Sequence, residues 1–595
     1  MYLLLYLLFL FLLHLLIRDL RRSWQNLLRL VYNALFMCAV QMFVRLQETP
    51  PPSLCGAAAA SLFSAIQNIT FNGDLQWAAS QLPEVQAQIA LLAFLASGIT
   101  VYAVLLAFFG RFVRQLGFRL GGLFRRRHYV LVGSATDAMR LGDDIRAQVG
   151  NPHIVYIPTE RLPNDAEVYR TFRVEAADDL TRLGRCTEYE IVLLPQAGLE
   201  NLELLGRLND AAKEKKRIRA SAILDNDTLR FHDIHTDGLD ALVLSVEQLA
   251  VSRFFEREAV HPLTLLRETQ GLSGKNGLPW LSQTYEVCVI GFGPLGQEYL
   301  LASYERAPFL TRDEQIGFRA LVIDPKMGEK RDDFLTNVPF FLEGDRVAFV
   351  EAPIGSAAYY QALEPRLGTL RQILVSTGDA AQNVTVAWNL CRYLDRLGRY
   401  QARPQIVVVG GQAQESAALR LADYAENIFW INPDREILNY ETLLARKLDA
   451  AARETDQVYN RRSGKQDRWN SLGSLMQASN RAVARDREQI RTLAALCDEA
   501  AGVTEEEKLT FLAKYEHSRW CAFYHAHGWR RLPLEDLTDA ERAAYKTKRT
   551  KEKLHTCLIP WEELDRVPQK SPGQVRAYDI DNVLIALGKK AEPDC

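Results

Sequence analysis

Three short stretches of this 595-residue chain carry residue types at spacings that could do chemistry. In YEVCVIGFGPLGQEY an apolar run meets Gly291, Gly293 and Gly296, the pattern GxGxxG, with Pro294 and Leu295 between the last two. Glycines so spaced allow a tight turn, a close approach of backbone to phosphate oxygens and close packing of the following helix, whose N-terminus then faces the anion. Asp324, ending ALVID, is of the type that binds a ribose hydroxyl. The second stretch, YEHSRWCAFYHAHGWRR and then KLHTCLIPWEELD, gathers His517, Arg519, Trp520, His525, His527, Trp529, His555 and Trp561. Such residues can stack on a base and hydrogen-bond a phosphate, or build a small aromatic core. No carboxylate or thiolate accompanies these histidines at ligand spacing, so no metal site is expected. The third stretch is Ile69-Thr70-Phe71-Asn72-Gly73-Asp74, whose hydroxyl, amide and carboxylate could ring a cation path.

Each stretch needs elements to hold it. Around GFGPLG the chain alternates apolar strands with helical segments: ALVIDP, FFLEGDRVAFV, QILVSTGD, PQIVVVGG and IFWINP follow at βα spacing. Strand, glycine turn, helix, strand and acid in that order open a Rossmann-type α/β unit, expected at 283–447. An earlier stretch, HYVLVGSATDAMRLGDDI, repeats the opening but has lost the second and third glycines. A related unit is therefore expected at 128–270, serving as a scaffold without a dinucleotide. Residues 448–504 turn charged with apolar positions at helical spacing, which reads as a helical connector whose charges face solvent.

The N-terminal region is apolar. Residues 1–17 read MYLLLYLLFLFLLHLLI without the basic start and cleavage site of a signal peptide, so 1–23 is expected to be a retained anchor. A second apolar stretch lies within 24–45, and 87–113 holds a run from Ala90 to Phe109 without a charged side chain. About 20 apolar residues suffice to span a bilayer. Arginines at 18, 21, 22, 111, 114, 119 and 125–127 place those flanks in the cytoplasm, and the large C-terminal region with them. A net charge of −2 and a pI near 6.6 argue against nucleic-acid binding. The nine cysteines never form a CxxC pair, which fits reduced thiols.

With these residues in view, three resemblances can be stated. An outer helix at 24–45, a short amphipathic segment and Gly-Asp turn at 61–75, and an inner helix at 87–113 resemble the potassium-channel pore module, with Gly98 as a bending point. A pore module of this kind implies a re-entrant filter, passage of cations and a homotetramer. Phe71 stands where a potassium filter has glycine, so strict potassium selectivity is not expected; an extracellular hairpin between two anchors explains the same residues. The strands and loops of 128–270 and 283–447, with Gly344-Asp345 and Thr377-Gly378-Asp379 followed by Asn383, resemble the RCK family of nucleotide-binding regulators, which implies NAD(H) or an adenine nucleotide at the second unit and these loop residues beside it. Residues 505–595 resemble the ryanodine-receptor repeat domain through His517, Trp520, Gly528, Trp529, His555, Leu558, Pro560 and Trp561.

The fold class expected is thus an α-helical membrane pore domain of two or three transmembrane helices with a re-entrant loop (24–127), two α/β Rossmann-like domains and a small, mostly α-helical C-terminal domain. Together the resemblances imply a non-enzymatic, ligand-gated cation channel of the cell (inner) membrane. Two other readings remain: a non-conducting, membrane-anchored nucleotide sensor, and a membrane-bound NAD(P)-dependent oxidoreductase.

Overall fold

The computed structural model describes residues 52–69, most of 127–158 and most of 188–589, with isolated residues between 35 and 46. The chain divides into two compact units, residues 1–128 with 153–187 and residues 129–152 with 188–595.

In the first unit helix α1 (Leu54–Ile69) starts seven residues before the 61–75 segment expected from sequence. Four consecutive alanines, 57–60, explain the extension, since alanine is the strongest helix former and Pro50–Pro52 stop the helix from running further back. Ile69 is its last residue. Thr70, Phe71, Asn72, Gly73 and Asp74, the inner helix with Gly98, the anchor at 1–23 and most of 24–45 lie outside the described residues. Among the described residues no helix is long and apolar enough to cross a membrane.

The second unit contains two parallel sheets. In one, strands β1 (Arg127–Gly133), β3 (Glu188–Leu193), β4 (Ile218–Leu224) and β5 (Asp240–Ser245) lie side by side in that order; β2 (His153–Pro158) belongs to the first unit. The other sheet has six strands: β6 (Tyr285–Ile290), β7 (Phe318–Asp324), β8 (Val347–Glu351), β9 (Leu370–Val375), β10 (Gln405–Val409) and β11 (Ile428–Ile431). Their spatial order is β11-β10-β9-β6-β7-β8, all parallel. This is the doubly wound Rossmann order, and β1-β3-β4-β5 matches β6-β9-β10-β11. The inner strands are mostly apolar and buried along their length because both faces are covered. Val287 and Val289 point into one core with Val322 and Val407, while Cys288 and Ile290 point into a second core with Ile323 and Val408. A period of two thus serves two separate layers of helices.

One reading changes here. FFLEGDRVAFV yields a strand only at Val347–Glu351, because Phe341 leaves the sheet to pack edge-on against Tyr304, 5.3 Å between ring centroids. Gly344 and Asp345 consequently precede β8.

The two Rossmann-like copies exchange their C-terminal segments. Helix α4 (Val246–Phe255) follows the first sheet but packs on β11, and Arg257 just beyond it donates from Nη1 to the Trp430 carbonyl at 2.9 Å. In return, Tyr440 N–H donates to Asp144 at 2.6 Å and Ser221 Oγ donates to the Leu443 carbonyl at 2.6 Å. After α8 (Lys447–Arg462) come α9 (Ser474–Asp498), α10 (Glu505–Ala526) and α11 (Gln574–Ala586), with a small sheet of strands 530–531, 554–555 and 548–549. A capping box, Thr504 with Glu507, starts α10. The charges of the 448–504 connector do not all face solvent. Ile490 and Leu493 enter the main core, Asp486 is buried, and Arg481 pairs with buried Asp449 at 2.7 Å.

Candidate functional site

A crevice of about 380 Å³ opens at the carboxyl ends of β6 and β9. From β6 the chain winds outward through β7 and β8, then returns to place β9 on the other side of β6. Connections therefore diverge here, leaving the gap where doubly wound folds hold ligands. Helix α5 (Pro294–Arg306) starts at its edge with no acidic residue in the first turn, and Pro294 supplies the fixed φ of a first helical position.

The three glycines have different tasks. Gly291 takes φ +90°, and a Cβ there would lie 2.2 Å from the Ser376 carbonyl oxygen. A Cβ on Gly296 would lie 2.2 Å from the Gly291 carbonyl oxygen, so this glycine sets the helix-to-turn contact. A Cβ on Gly293 would meet nothing within 4 Å, although Gly293 lines the crevice. Two glycines hold the turn together; the third keeps space open for a ligand.

Asp324 ends β7 and lines the same crevice. Its Oδ2 accepts from the Phe292 N–H at 2.7 Å and from Lys330 Nζ at 2.6 Å, and its Oδ1 accepts from the Lys326 N–H at 2.8 Å. Burial opposes ionisation, but these bonds outweigh it, and the carboxyl is held below its ordinary range. A carboxylate offers about four acceptor positions, so three donors leave room for one ribose hydroxyl.

Thr377 and Gly378 complete the opposite wall. Asn383 fixes that loop: its Oδ1 accepts from the Thr377 N–H at 2.7 Å, and its Nδ2 donates to the Val409 carbonyl at 2.9 Å. Asp379 caps α7 (Ala380–Leu397), accepting from the Gln382 N–H at 2.7 Å, so its carboxylate serves the helix. Gly344 and Asp345 stand at the amino end of β8, opposite the crevice; the acid at that strand's carboxyl end is Glu351, which accepts from the Gly328 N–H at 2.9 Å. Lys330, Glu247, Asn432 and Pro433 also line the crevice but carry no motif. Glu247 sits on the exchanged helix α4, which no local pattern could have placed there.

The C-terminal aromatic constellation is brought only partly together. A second cavity, about 180 Å³, is lined by His517, His525 and Trp561 with Phe340, on which His525 stacks at 3.8 Å. Burial above all pushes His525 down to about 3, so it is neutral. Both His517 nitrogens face acceptors, Asp579 at 3.1 Å and the Ile559 carbonyl at 2.9 Å, which calls for the doubly protonated ring. Burial opposes that charge, but the Cys521 sulfur and the Asp579 carboxylate favour it and raise the pKa well above the ordinary histidine value. Arg519 is buried and held by Glu516 at 2.7 and 2.8 Å, and Trp529 is buried in the domain core. Trp520 and His555 pack edge to face at 4.9 Å. These four build the domain and do not line the cavity. Among the described residues no group of three or more metal-ligating side chains converges.

Strand order and crevice define a pair of Rossmann-like units, of which the second has the geometry of a nucleotide site. No protein-family model matches the chain, and no curated protein matches it. Solved structures with partial similarity include GsuK bound to ADP, at 13% identity over 71% of this chain and 100% of that one, TM-score 0.34. The GsuK channel matches at 12% identity over 69% and 82%, TM-score 0.34, and shikimate dehydrogenase in complex with NADP+ at 8% over 54% and 90%, TM-score 0.25. Scores of this size define no common superposition, and the fold assignment stands on strand order and register.

Proposed function

We propose that this chain is a nucleotide-responsive regulator coupled to a cation pore. A nucleotide, NAD(H) or an adenine nucleotide, binds in the crevice of the second Rossmann-like unit. The observation that carries this is the division of labour at GFGPLG: Gly291 and Gly296 are locked by backbone contacts while Gly293 leaves its side open to a crevice ending in Asp324. The pyrophosphate meets the α5 N-terminus and the Gly293 backbone, a ribose hydroxyl donates to Asp324, and Lys330 adds a cation beside it.

The channel part of the reading rests on the sequence of residues 24–115. In it the protein is a homotetramer of the cell membrane, with 69–74 forming the filter, and nucleotide binding biases the pore by favouring one arrangement of the Rossmann pair. The reading is non-catalytic: the nucleotide is a signal and is not turned over. Calorimetric titration of the full chain with NAD+, NADH and ADP tests the first part, and the absence of saturable heat from all three would refute it. Cation flux from liposomes with and without the bound nucleotide tests the second. Flux indistinguishable from empty liposomes in both states leaves the anchored sensor, and steady NADH oxidation would favour the oxidoreductase.

A further inference from the structure

A third cavity in the unit formed by 129–152 and 188–595, of about 420 Å³, lies away from the GFGPLG crevice, between α4, the far end of α5, α8 and α9. Its wall is rich in cations, and most have a counter-charge. Arg230 is held by Glu298 and Glu305, Arg253 by Glu256 at 2.8 Å, Arg481 by Asp449 at 2.7 Å, and Lys447 by Glu441 at 2.6 Å. Arg306, the last residue of α5, is the exception. It is 3% exposed, and no carboxylate among the described residues lies within 4 Å of its guanidinium.

The contacts of Arg306 are few. Nη2 donates to Ser252 Oγ at 2.8 Å and to the Ser252 carbonyl at 3.3 Å, the guanidinium lies 5.6 Å from the centre of the Phe255 ring, and Nη1 is buried with no hydrogen-bond partner among the described residues. Arg485, also on the cavity wall, places a second guanidinium nearby, bound through Nε to Asp486 at 3.2 Å. Burial and then Arg485 push Arg306 down to about 9, while Asp486, Glu256 and Glu305 act only from longer range. Neighbouring His261 feels the same field: burial and then Arg306 push it down to about 4. Gln248 contributes a further buried donor without a partner, Nε2.

A buried guanidinium without a counter-charge is costly, because burial removes its hydration and nothing replaces it. Arg306 lines a cavity of small-ligand size together with Arg485, Gln248 and the apolar side chains of Leu249 and Ala302. We propose that this cavity is a second ligand site, for a small phosphorylated molecule whose phosphate is held by Arg306, Arg485 and Gln248 and whose body lies on the apolar wall. Several convergent donors suit the three oxygens of a phosphate better than the two of a carboxylate, and a guanidinium fork matches either geometrically. The site joins the exchanged helix α4 to α5 and α9, so its occupancy couples the first Rossmann-like copy to the second.

Thermal unfolding and calorimetry of the purified full chain test this, with inorganic phosphate, pyrophosphate and succinate as probes. Phosphate and pyrophosphate should raise the melting temperature saturably in the wild type and equally in Gly293→Val, whose nucleotide crevice is blocked. Arg306→Met should lose that response and, freed of an unpaired charge, melt higher than the wild type without ligand. Gln248→Leu, which leaves every observed bond of Arg306 intact, should bind phosphate about tenfold more weakly, as loss of one hydrogen bond to a charged group predicts. No saturable shift with either phosphate probe, or an unchanged shift in Arg306→Met or, should that variant not fold, in Gln248→Leu, overturns the site. Succinate as effective as phosphate overturns the assignment to phosphate. A response lost in Gly293→Val would show that the anion was reporting the other crevice.

Discussion

The two Rossmann-like copies share a strand order yet present opposite surfaces at the equivalent point. In both, the first strand runs into a glycine at positive φ, Gly133 at +139° and Gly291 at +90°, pressed against the residue just past the neighbouring strand. In both, an asparagine seven residues further on ties two strand ends together. Asn201 Nδ2 donates to the Leu194 and Ile223 carbonyls at 2.7 Å each, and Asn383 Nδ2 donates to the Val409 carbonyl at 2.9 Å. The difference is in the turn. Helix α2 (Ala135–Gln148) begins two residues after its glycine and carries Asp137 in its first turn, whereas α5 begins three residues after Gly291 and carries no acid there. Where the second copy has Ser376, the first has fully buried Leu194. One residue fewer, an added negative charge and a leucine set the turn of the first copy apart from the glycine turn of the second, while the asparagine clamp is kept in both. In the function proposed, the fold is held by one set of residues and the ligand by another.

Substitutions can test that separation. The largest effect is expected at Gly296→Val, where a side chain must displace the Gly291 carbonyl; a loss of about 4 kcal/mol or more in denaturant unfolding is predicted, enough to prevent folding of the second copy. If stability were unchanged, the distinction between Gly296 and Gly293 would fail. Gly293→Val should leave the melting temperature within a degree or two of wild type and weaken nucleotide binding about a hundredfold or more, read by calorimetry. Asn383→Ala and Asn201→Ala should each cost about 1–3 kcal/mol, since a buried carbonyl loses its donor. Only Asn383→Ala should also weaken nucleotide binding, because it alone steadies a wall of the crevice; equal binding losses in both would merge the two roles.

The smallest effect concerns acid. The Asp324 carboxyl is held below its ordinary range in the folded state, so its contribution to stability is present above pH ~4, the usual carboxylate value, and is lost as the pH falls through the folded-state value. Asp324→Asn should therefore flatten the acid limb of the stability profile and leave the neutral-to-alkaline limb as it was. A steeper acid limb in the variant would mean that Asp324 is not held by Lys330 and the two N–H donors.

Much of the second copy was legible in the chain. GFGPLG, the terminal Asp324 and the run STGD-AAQN mark strand ends by residue type, and the crevice forms where they meet. FFLEGDRVAFV misled because Phe340 and Phe341 look like strand residues, whereas their rings belong to an aromatic cluster with Tyr304 and Phe334, which moves Gly344 and Asp345 to the far end of β8. In the C-terminal domain the sequence showed aromatic and basic residues in excess but could not say which were filling and which were lining. Arg519 and Trp529 turned inward, while His517 and Trp561 reached the cavity.

By itself the sequence determined the duplication, the loss of glycines in the first copy and the phosphate-type turn of the second, since each depends on backbone freedom and local periodicity. Only tertiary structure decided that helix 246–255 crosses to the other copy, that Glu247 borders the GFGPLG crevice, and that Arg306 is left buried beside Arg485 with no carboxylate of the described residues against it. Those facts depend on which surfaces meet across hundreds of residues, and a charge reads the same in the chain whether it ends in water or in a closed cavity.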